Sequence, residues 1–251
     1  MSWKLPEVEQ REFDRNPLVA VICQLRFDPI LKVHDRVPDL QDAIRSRFPG
    51  YEESEGLLLE VNEGHPRQRT VREHRFTAKR EPTAAVLGDQ GVSLEYREYR
   101  SREQLLSDAD LVFGALDDVF APVSPRRLGL RCVNVLDRAT LEEGLGRKLT
   151  WEDLVRSSFL TIPRELEGTE ALRFASEVTS DISPGGMTVR YGLLPRPGGA
   201  GAQYRLDIDR YAEEDLSVRM ANSLLSRFSE DVYRLFRAAA GEALLEWMGE
   251  R

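Results

Sequence analysis

Alternating apolar positions predict two β-strands, one near the start of the chain and one near its middle. Between residues 19 and 28 every second residue is apolar, which is the period of a strand. Residues 126–137 are apolar on both faces, as is typical of a strand inside a sheet. Each segment also carries a cysteine followed by an aspartate five positions later: Cys23 and Asp28, and Cys132 and Asp137. The two segments indicate that the chain is internally duplicated.

The rest of the pattern supports this duplication, because both halves have the same order of elements. The first half is predicted to contain a strand, a helix, four strands and a long helix, at residues 17–28, 37–48, 56–61, 71–78, 83–87, 92–99 and 101–120. The second half is predicted to contain a strand, a helix, three strands and a long helix, at residues 126–137, 150–159, 171–181, 187–194, 203–208 and 217–248. Apolar residues at helical spacing and Pro or Gly at the breaks define these bounds.

The predicted fold class is α+β. A duplicated unit of strand, helix, antiparallel strands and helix is expected to form one curved antiparallel sheet, with the long helices packed on one face. The two halves comprise residues 1–122 and 123–251. Only a short break between Pro122 and Pro125 separates them, so we expect both halves to fold as one cooperative unit.

The composition is that of an ordinary globular protein, with 41% hydrophobic and 31% charged residues. No apolar run approaches the ~20 residues needed to span a bilayer, and the first residues lack the apolar core of a signal peptide. We therefore expect a cytoplasmic location and no membrane partner. The two cysteines lie in predicted buried strands, where a thiol behaves as a small hydrophobic group.

Basic residues are concentrated in one predicted strand and its flanks, although the net charge of −8 disfavours binding to nucleic acid. Six of them fall between residues 67 and 80: Arg67, Arg69, Arg72, Arg75, Lys79 and Arg80. Alternation places Arg69 and Arg75 on one face of the strand. It places Arg72 and His74 on the other. These four residues either protect a sheet edge from pairing with other chains or bind RNA.

The sequence contains no signature of catalysis, metal binding or cofactor binding. Histidines stand at positions 34, 65 and 74, and none has the spacing of a metal site. His65 and His74 could act as acid and base on RNA, and the alternative is that all three are solvated or hairpin histidines. The glycine pairs lack the strand-to-helix setting of a phosphate loop. We therefore predict no catalytic residue, no metal and no cofactor.

Polar residues interrupt the two apolar strands: Gln24, Arg26, Arg131 and Asn134. A polar group inside a sheet costs free energy unless it is paired. One interpretation is structural, in which the arginines bridge Asp28, Asp137 or Asp207 and hold the two halves together. The other is functional, in which Arg26, Arg131 and Asn134 line a binding pocket at the junction of the halves.

Several motifs resemble those of a sporadically distributed family of bacterial proteins of about this length. The matching segments are Leu5-Pro6-Glu7, Arg26-Phe27-Asp28-Pro29, Arg127 to Asn134 with Gly129-Leu130-Arg131 inside it, Leu206 to Asp209, and Phe228 in the last helix. Cys132 departs from the aromatic residue that the family pattern has at this position. The family offers no catalytic residues to transfer. Its patchy distribution implies horizontally moved genes, such as defence or toxin–immunity cassettes.

Three functions are compatible with these observations. We favour a non-enzymatic binding or adaptor protein that acts through a protein partner encoded by a neighbouring gene. Its interaction surface would be the open sheet face or the C-terminal helix. The first alternative is an RNA-binding or RNA-processing module that uses residues 67–80. The second alternative is a small-molecule sensor with a pocket between the repeats.

The expectation of one cooperative fold can be tested with a fragment. Residues 1–122 expressed alone should be insoluble or unfolded, because the fragment lacks the second half of the predicted sheet. Circular dichroism and thermal melting of the purified fragment provide the measurement. A soluble fragment that melts cooperatively would contradict the expectation.

Overall fold

The computed structural model describes residues 5–9, 11, 13–62, 65–120, 123–160, 173–198, 201–213 and 216–249. Within residues 57–62 and 65–70 it describes the backbone but not the side chains. In the part of the chain so described, no helix has both the length and the hydropathy that crossing a membrane requires. Cys23 and Cys132 are both buried, as the strand pattern predicts.

In the first half, the residues that the structure describes form five strands and two α-helices. They are β1 (Leu18–Phe27), α1 (Val37–Ile44), β2 (Gly50–Asn62), β3 (His65–Thr77), β4 (Thr83–Gly88), β5 (Gly91–Tyr96) and α2 (Arg102–Phe120). A short 3₁₀ helix, His34–Arg36, precedes α1. The helix α1 begins with a proline in its first turn and buries Val37, Leu40 and Ile44. These residues recur at the helical spacing from which the helix was predicted.

In the second half, the described residues form four strands and four α-helices. They are β6 (Pro125–Leu136), α3 (Arg138–Leu145), α4 (Trp151–Leu154), β7 (Phe174–Asp181), β8 (Gly186–Pro195), β9 (Ala202–Glu213), α5 (Val218–Ala239) and α6 (Glu242–Met248). A capping box begins α4, because the Thr150 and Asp153 side chains each accept from the backbone N–H of the other residue.

The nine strands form one sheet in the order β2-β3-β4-β5-β1-β6-β9-β8-β7. The strand that opens each half therefore lies at the centre of this order, and the later strands of each half follow in the same relative sequence. The pairs β1–β5, β2–β3, β3–β4, β4–β5 and β7–β8 are antiparallel. The predicted α+β class and the predicted large antiparallel sheet are thus confirmed.

Contacts divide the chain into two compact units. The hairpin unit comprises Ala20–Leu130 and Tyr211–Arg227, and the terminal unit comprises Met1–Val19, Arg131–Arg210 and Phe228–Arg251. Each unit has a buried core of its own. In the hairpin unit the helix α1 packs against α2, and in the terminal unit α6 contacts α3 and α4. The predicted division at residue 122 stays a prediction.

Three elements differ from those predicted in the second half. The helix predicted at residues 150–159 is the short α4, followed by a 3₁₀ helix at Ser157–Phe159. The helix α3 occupies a segment predicted to be a loop, and it begins with a cap in which the Asp137 side chain accepts from the Thr140 N–H. The predicted C-terminal helix is interrupted at Gly241, which separates α5 from α6. A side chain at Gly241 would collide with the Asp153 backbone, and the Gly241 N–H donates to the Leu154 carbonyl at 2.9 Å. Close backbone approach therefore ends the helix at this glycine.

The most deeply buried charge lies in the terminal unit. The side chain of Arg210 is 0% exposed and occupies the strand β9. Its Nε donates to Asp231 Oδ2 at 2.9 Å, and its Nη1 donates to the carbonyls of Pro184 and Gly186 at 2.7 and 3.1 Å. The guanidinium also lies 4.5 Å from the centre of the Phe228 ring. These contacts compensate a cation that would otherwise be very costly to bury.

Removing this cation should strongly destabilise the protein. We expect Arg210→Met to lower the free energy of unfolding by about 3–5 kcal/mol, because Asp231 is left without its partner. The double variant Arg210→Met/Asp231→Leu should recover much of that loss, since both charges are then gone. Urea unfolding of the two variants and the wild type provides the measurement.

An exposed pair gives the matched control. Arg234 pairs with Glu230 at 2.7 Å with both side chains one third or more exposed, so Arg234→Met should cost less than about 1 kcal/mol. A double variant that is no more stable than Arg210→Met would contradict the charge-pair account.

Candidate functional site

The β2–β3 hairpin carries the residues that the sequence singled out between positions 67 and 80. Its register places Tyr51, Glu53 and Glu55 of β2 directly opposite Phe76, His74 and Arg72 of β3. Directly opposite residues share a face of an antiparallel pair. On β3, Phe76 and His74 are buried at 0% and 2% exposure, whereas Arg72 is exposed. This face therefore passes from core to solvent within a few residues.

A hydrogen-bonded chain of side chains crosses the buried end of this face. His74 Nε2 lies 2.9 Å from His34 Nδ1, and His74 Nδ1 lies 2.9 Å from the Tyr51 hydroxyl. The Tyr51 hydroxyl also donates to Glu53 Oε2 at 3.2 Å. The chain connects the 3₁₀ helix, β3 and β2. It fixes the start of the outer strand to the body of the hairpin unit.

The surroundings favour the neutral forms of His74 and Tyr51. Burial, followed by the neighbouring His34, lowers the pKa of His74 below its ordinary value. Desolvation and the hydrogen bond to Glu53 raise the pKa of Tyr51. The phenol is thus a donor and a poor nucleophile at neutral pH, and both ring nitrogens of His74 are occupied. His74 is a buried histidine of the β2–β3 hairpin.

Carboxylates hold the arginines of β3 that the structure describes. Arg72 donates to Glu55 at 2.8 Å and lies 3.3 Å from Glu53. Arg75 donates to Glu95 of β5 at 2.6 Å. The hydrogen bond to Glu55 and the charge of Glu53 raise the pKa of Arg72 above its ordinary value. The structure does not describe the side chains of His65, Arg67 and Arg69. The roles predicted for these three residues therefore stay predictions.

The charged edge of the sheet is β2 rather than the strand that contains the arginine cluster. In the strand order β2 is outermost and β3 lies one place inside it. β2 contains four glutamates and neither lysine nor arginine, and its residues from Tyr51 to Gly56 are exposed. Edge protection by charge is therefore carried by carboxylates, whereas the sequence suggested arginines.

Arg131 pairs with Asp207, one of the three aspartates proposed for it, and both residues lie in the second half, so this pair does not hold the two halves together. Its guanidinium donates to both carboxylate oxygens of Asp207 at 2.8 and 2.6 Å. Asp207 is fully buried and also accepts from Arg205 at 2.8 Å. Asn134 is buried and donates to the Leu206 carbonyl at 3.2 Å. Within the terminal unit these contacts pair the side chains of Arg131, Asn134 and Asp207.

Arg26 differs from the expectation that it is a buried strand residue. The buried positions of β1 from residue 21 onward are the odd-numbered ones. Arg26 falls on the other face and is exposed. Its role in binding stays a prediction.

Sequence reasoning missed a second buried charge cluster in the hairpin unit. Arg47 donates to both oxygens of Asp108 at 2.8 and 3.1 Å and to Glu81 at 2.6 Å. The Tyr96 hydroxyl also donates to Asp108 at 3.1 Å. The available signal was Asp108 itself, because it lies three residues after the apolar Leu105 on the buried stripe of α2.

The cavity described in the terminal unit is small. It is lined mainly by apolar side chains and by Asn134, and includes Leu136, Tyr204 and Phe236. Its accessible volume is about 10 Å³, which is roughly the space for one water molecule. Among the residues described, no group of three or more His, Cys, Asp or Glu side chains is arranged to hold a metal ion.

Comparisons with known proteins identify no family for this chain. No protein-family model matches the chain, and the comparison with curated proteins gave no match. Among solved structures, a rolling-circle replication initiator protein from Geobacillus stearothermophilus is similar over 88% of this chain and 84% of its own, with 13% identical residues and a TM-score of 0.26. At that TM-score the likeness carries no argument about function.

The buried His74 predicts a specific pH dependence. Stability should fall as the pH drops below 6.5, the unfolded value, because the unfolded chain takes up a proton that folded His74 excludes. The loss should level off once the pH is below the lowered folded pKa. His74→Gln should remove this component. Urea unfolding at several pH values above the range of the carboxylates, about pH 5, provides the measurement, and equal pH slopes for variant and wild type would contradict it.

Proposed function

We propose that the protein is a non-enzymatic binding protein that acts through a protein partner, and that the β2–β3 hairpin is its docking surface. The observation that carries the proposal is an outermost strand with exposed residues from Tyr51 to Gly56, anchored at its start by the Tyr51–His74–His34 chain. A rigid, exposed strand is a suitable surface for recognising another chain.

Two exposed apolar side chains support the proposal. Tyr51 is 42% exposed, and Leu31 is 94% exposed on the turn before the 3₁₀ helix of His34. That turn is held by the Val33 N–H, which donates to the Ile30 carbonyl at 3.0 Å. Aromatic and apolar side chains presented on an ordered surface are frequent anchors of protein interfaces.

The charge distribution favours a protein over RNA as the partner. Phosphate binding needs cations that are available to replace counterions. Arg72 and Arg75 are instead held by Glu55 and Glu95, and the outer strand is acidic. The described cavity supports no metabolite, since it has room for about one water. The neutral, fully hydrogen-bonded His74 and Tyr51 favour a structural over a catalytic role.

Cross-linking in the source cells tests the proposal. Tagged protein is cross-linked, purified and analysed by mass spectrometry together with the products of adjacent genes. The expected result is a protein partner with cross-links on the hairpin or on the Leu31 turn. Cross-links confined to other surfaces, or recovery of nuclease-sensitive RNA in place of a protein, would contradict it.

Matched variants sharpen this test. Leu31→Ala/Tyr51→Ala should weaken binding of the recovered partner by about tenfold or more, as loss of an interface anchor does. The control Val178→Ala/Met220→Ala removes two exposed apolar side chains elsewhere, which are 44% and 46% exposed, and should leave the affinity unchanged. Melting curves of both variants establish that the fold is retained.

A further inference from the structure

We infer that the partner contributes an extended segment rich in lysine or arginine, which pairs with β2 as an additional strand of the sheet. This inference rests on the proposed function and goes beyond it by naming the partner's chemistry and its mode of binding. It follows from three properties of β2: its unpaired edge, its charge and its anchoring.

The backbone edge of β2 is available for pairing. β2 is thirteen residues long, and in the part of the chain that the structure describes it pairs with β3 alone. The backbone donors and acceptors on its other side can accept a strand from another chain. Strand addition of this kind gives affinity through main-chain hydrogen bonds and specificity through alternate side chains.

The charge of β2 selects the incoming strand. Its charged residues are all carboxylates: Glu52, Glu53, Glu55 and Glu60. The arginines that balance part of this charge lie on the inner strand β3, on the side away from the free edge. The charged side chains nearest to an incoming strand are therefore the glutamates of β2. Cross-strand pairs of opposite charge stabilise a sheet, and like charges directly opposite destabilise it.

The same rule disfavours two other occupants. A second copy of this chain paired through β2 would bring glutamates against glutamates. A nucleic acid would bring phosphates against them. The other outermost strand, β7, is shorter at eight residues. β2 is thus the better template for a basic partner segment.

The anchoring of β2 keeps this template in place. Tyr51 is held by His74, and its ring stacks on the imidazole at 6.1 Å between ring centres with 12° between planes. Because the start of the strand is fixed, less ordering entropy is lost on binding than for a free edge. The exposed face of Tyr51 offers an apolar contact to an alternate side chain of the incoming strand.

The test uses a short synthetic peptide of alternating lysine and valine as the probe. Two control peptides are used with it: one of alternating glutamate and valine, and one of lysine and valine whose backbone nitrogens are methylated at alternate positions. Affinity is measured by fluorescence anisotropy, and hydrogen exchange locates the bound segment. The lysine peptide should bind and slow exchange at residues 51–56, and neither control peptide should do so.

Charge-changed proteins complete the design. Glu52→Lys/Glu55→Lys should weaken binding of the lysine peptide by about tenfold. Glu98→Lys/Asp118→Lys changes the net charge equally at two exposed positions of the same unit and should leave the affinity within about twofold. Glu52→Gln/Glu55→Gln should give an intermediate loss of affinity for the lysine peptide. Because glutamine does not repel the neighbouring arginines, this variant tests the inference even if the lysine variant fails to fold.

Each contrary result has a defined meaning. The inference is wrong if the methylated peptide binds as well as the unmodified one, if the glutamate peptide binds equally, or if protection appears away from β2. If cross-links of the natural partner map to the hairpin while the lysine peptide protects no β2 amide, strand addition is wrong and the docking surface stands. If those cross-links fall elsewhere, the proposed function itself is wrong.

Discussion

The fold depends on the pairing of arginine side chains with carboxylates inside each unit. In the terminal unit a fully buried Arg210 is held by Asp231, and Arg131 is held by both oxygens of a buried Asp207. In the hairpin unit Arg47 makes a bidentate pair with Asp108, as Arg131 does with Asp207. A charge buried without such a partner costs several kcal/mol. Arg210, Asp207 and Asp108 can therefore be buried among apolar side chains only because each of them has such a partner.

The same pairing decides what the surface can bind. The positive charge of this chain is mostly arginine, whose planar fork suits carboxylates as well as phosphates. On the hairpin, the described arginines of β3 are paired with carboxylates. The strand β2, whose outer edge is unpaired, carries glutamates. The region appears basic in the sequence, but Arg72 is paired with glutamates of β2 and Arg75 is paired with Glu95 of β5. This pairing supports the proposal that the partner is a basic protein segment rather than a nucleic acid.

Elements with strong local periodicity were predictable from the sequence. The strands β1 and β6 follow the period of two, α2 follows the helical stripe, and the duplicated order appears in the strand order of the sheet. The interruption at Gly241 was not predictable, because it follows from a contact with a backbone segment far away in the chain. Arg210 did leave a signal, since it continues the buried alternation of Tyr204, Leu206 and Ile208 along β9.

The candidate site was predictable only in part. The residue types between positions 67 and 80 drew attention to His74 and Arg72, and the alternation of faces assigned there agrees with the register. Nothing in the sequence connects His34 to His74, because forty residues separate them and neither stands in a motif. The partners of the arginines were likewise hidden. The glutamates that hold Arg72 lie on another strand, and only the hairpin register brings them opposite.

The central claim is that the arginines of the hairpin serve the structure rather than phosphate binding. A mobility-shift titration tests it most directly, with the wild-type protein at low salt against single-stranded RNA and against duplex DNA. Because paired guanidinium groups and an acidic edge release no counterions from phosphate, the account predicts no shift for either nucleic acid. A shift at micromolar protein that weakens steeply with added salt would contradict it.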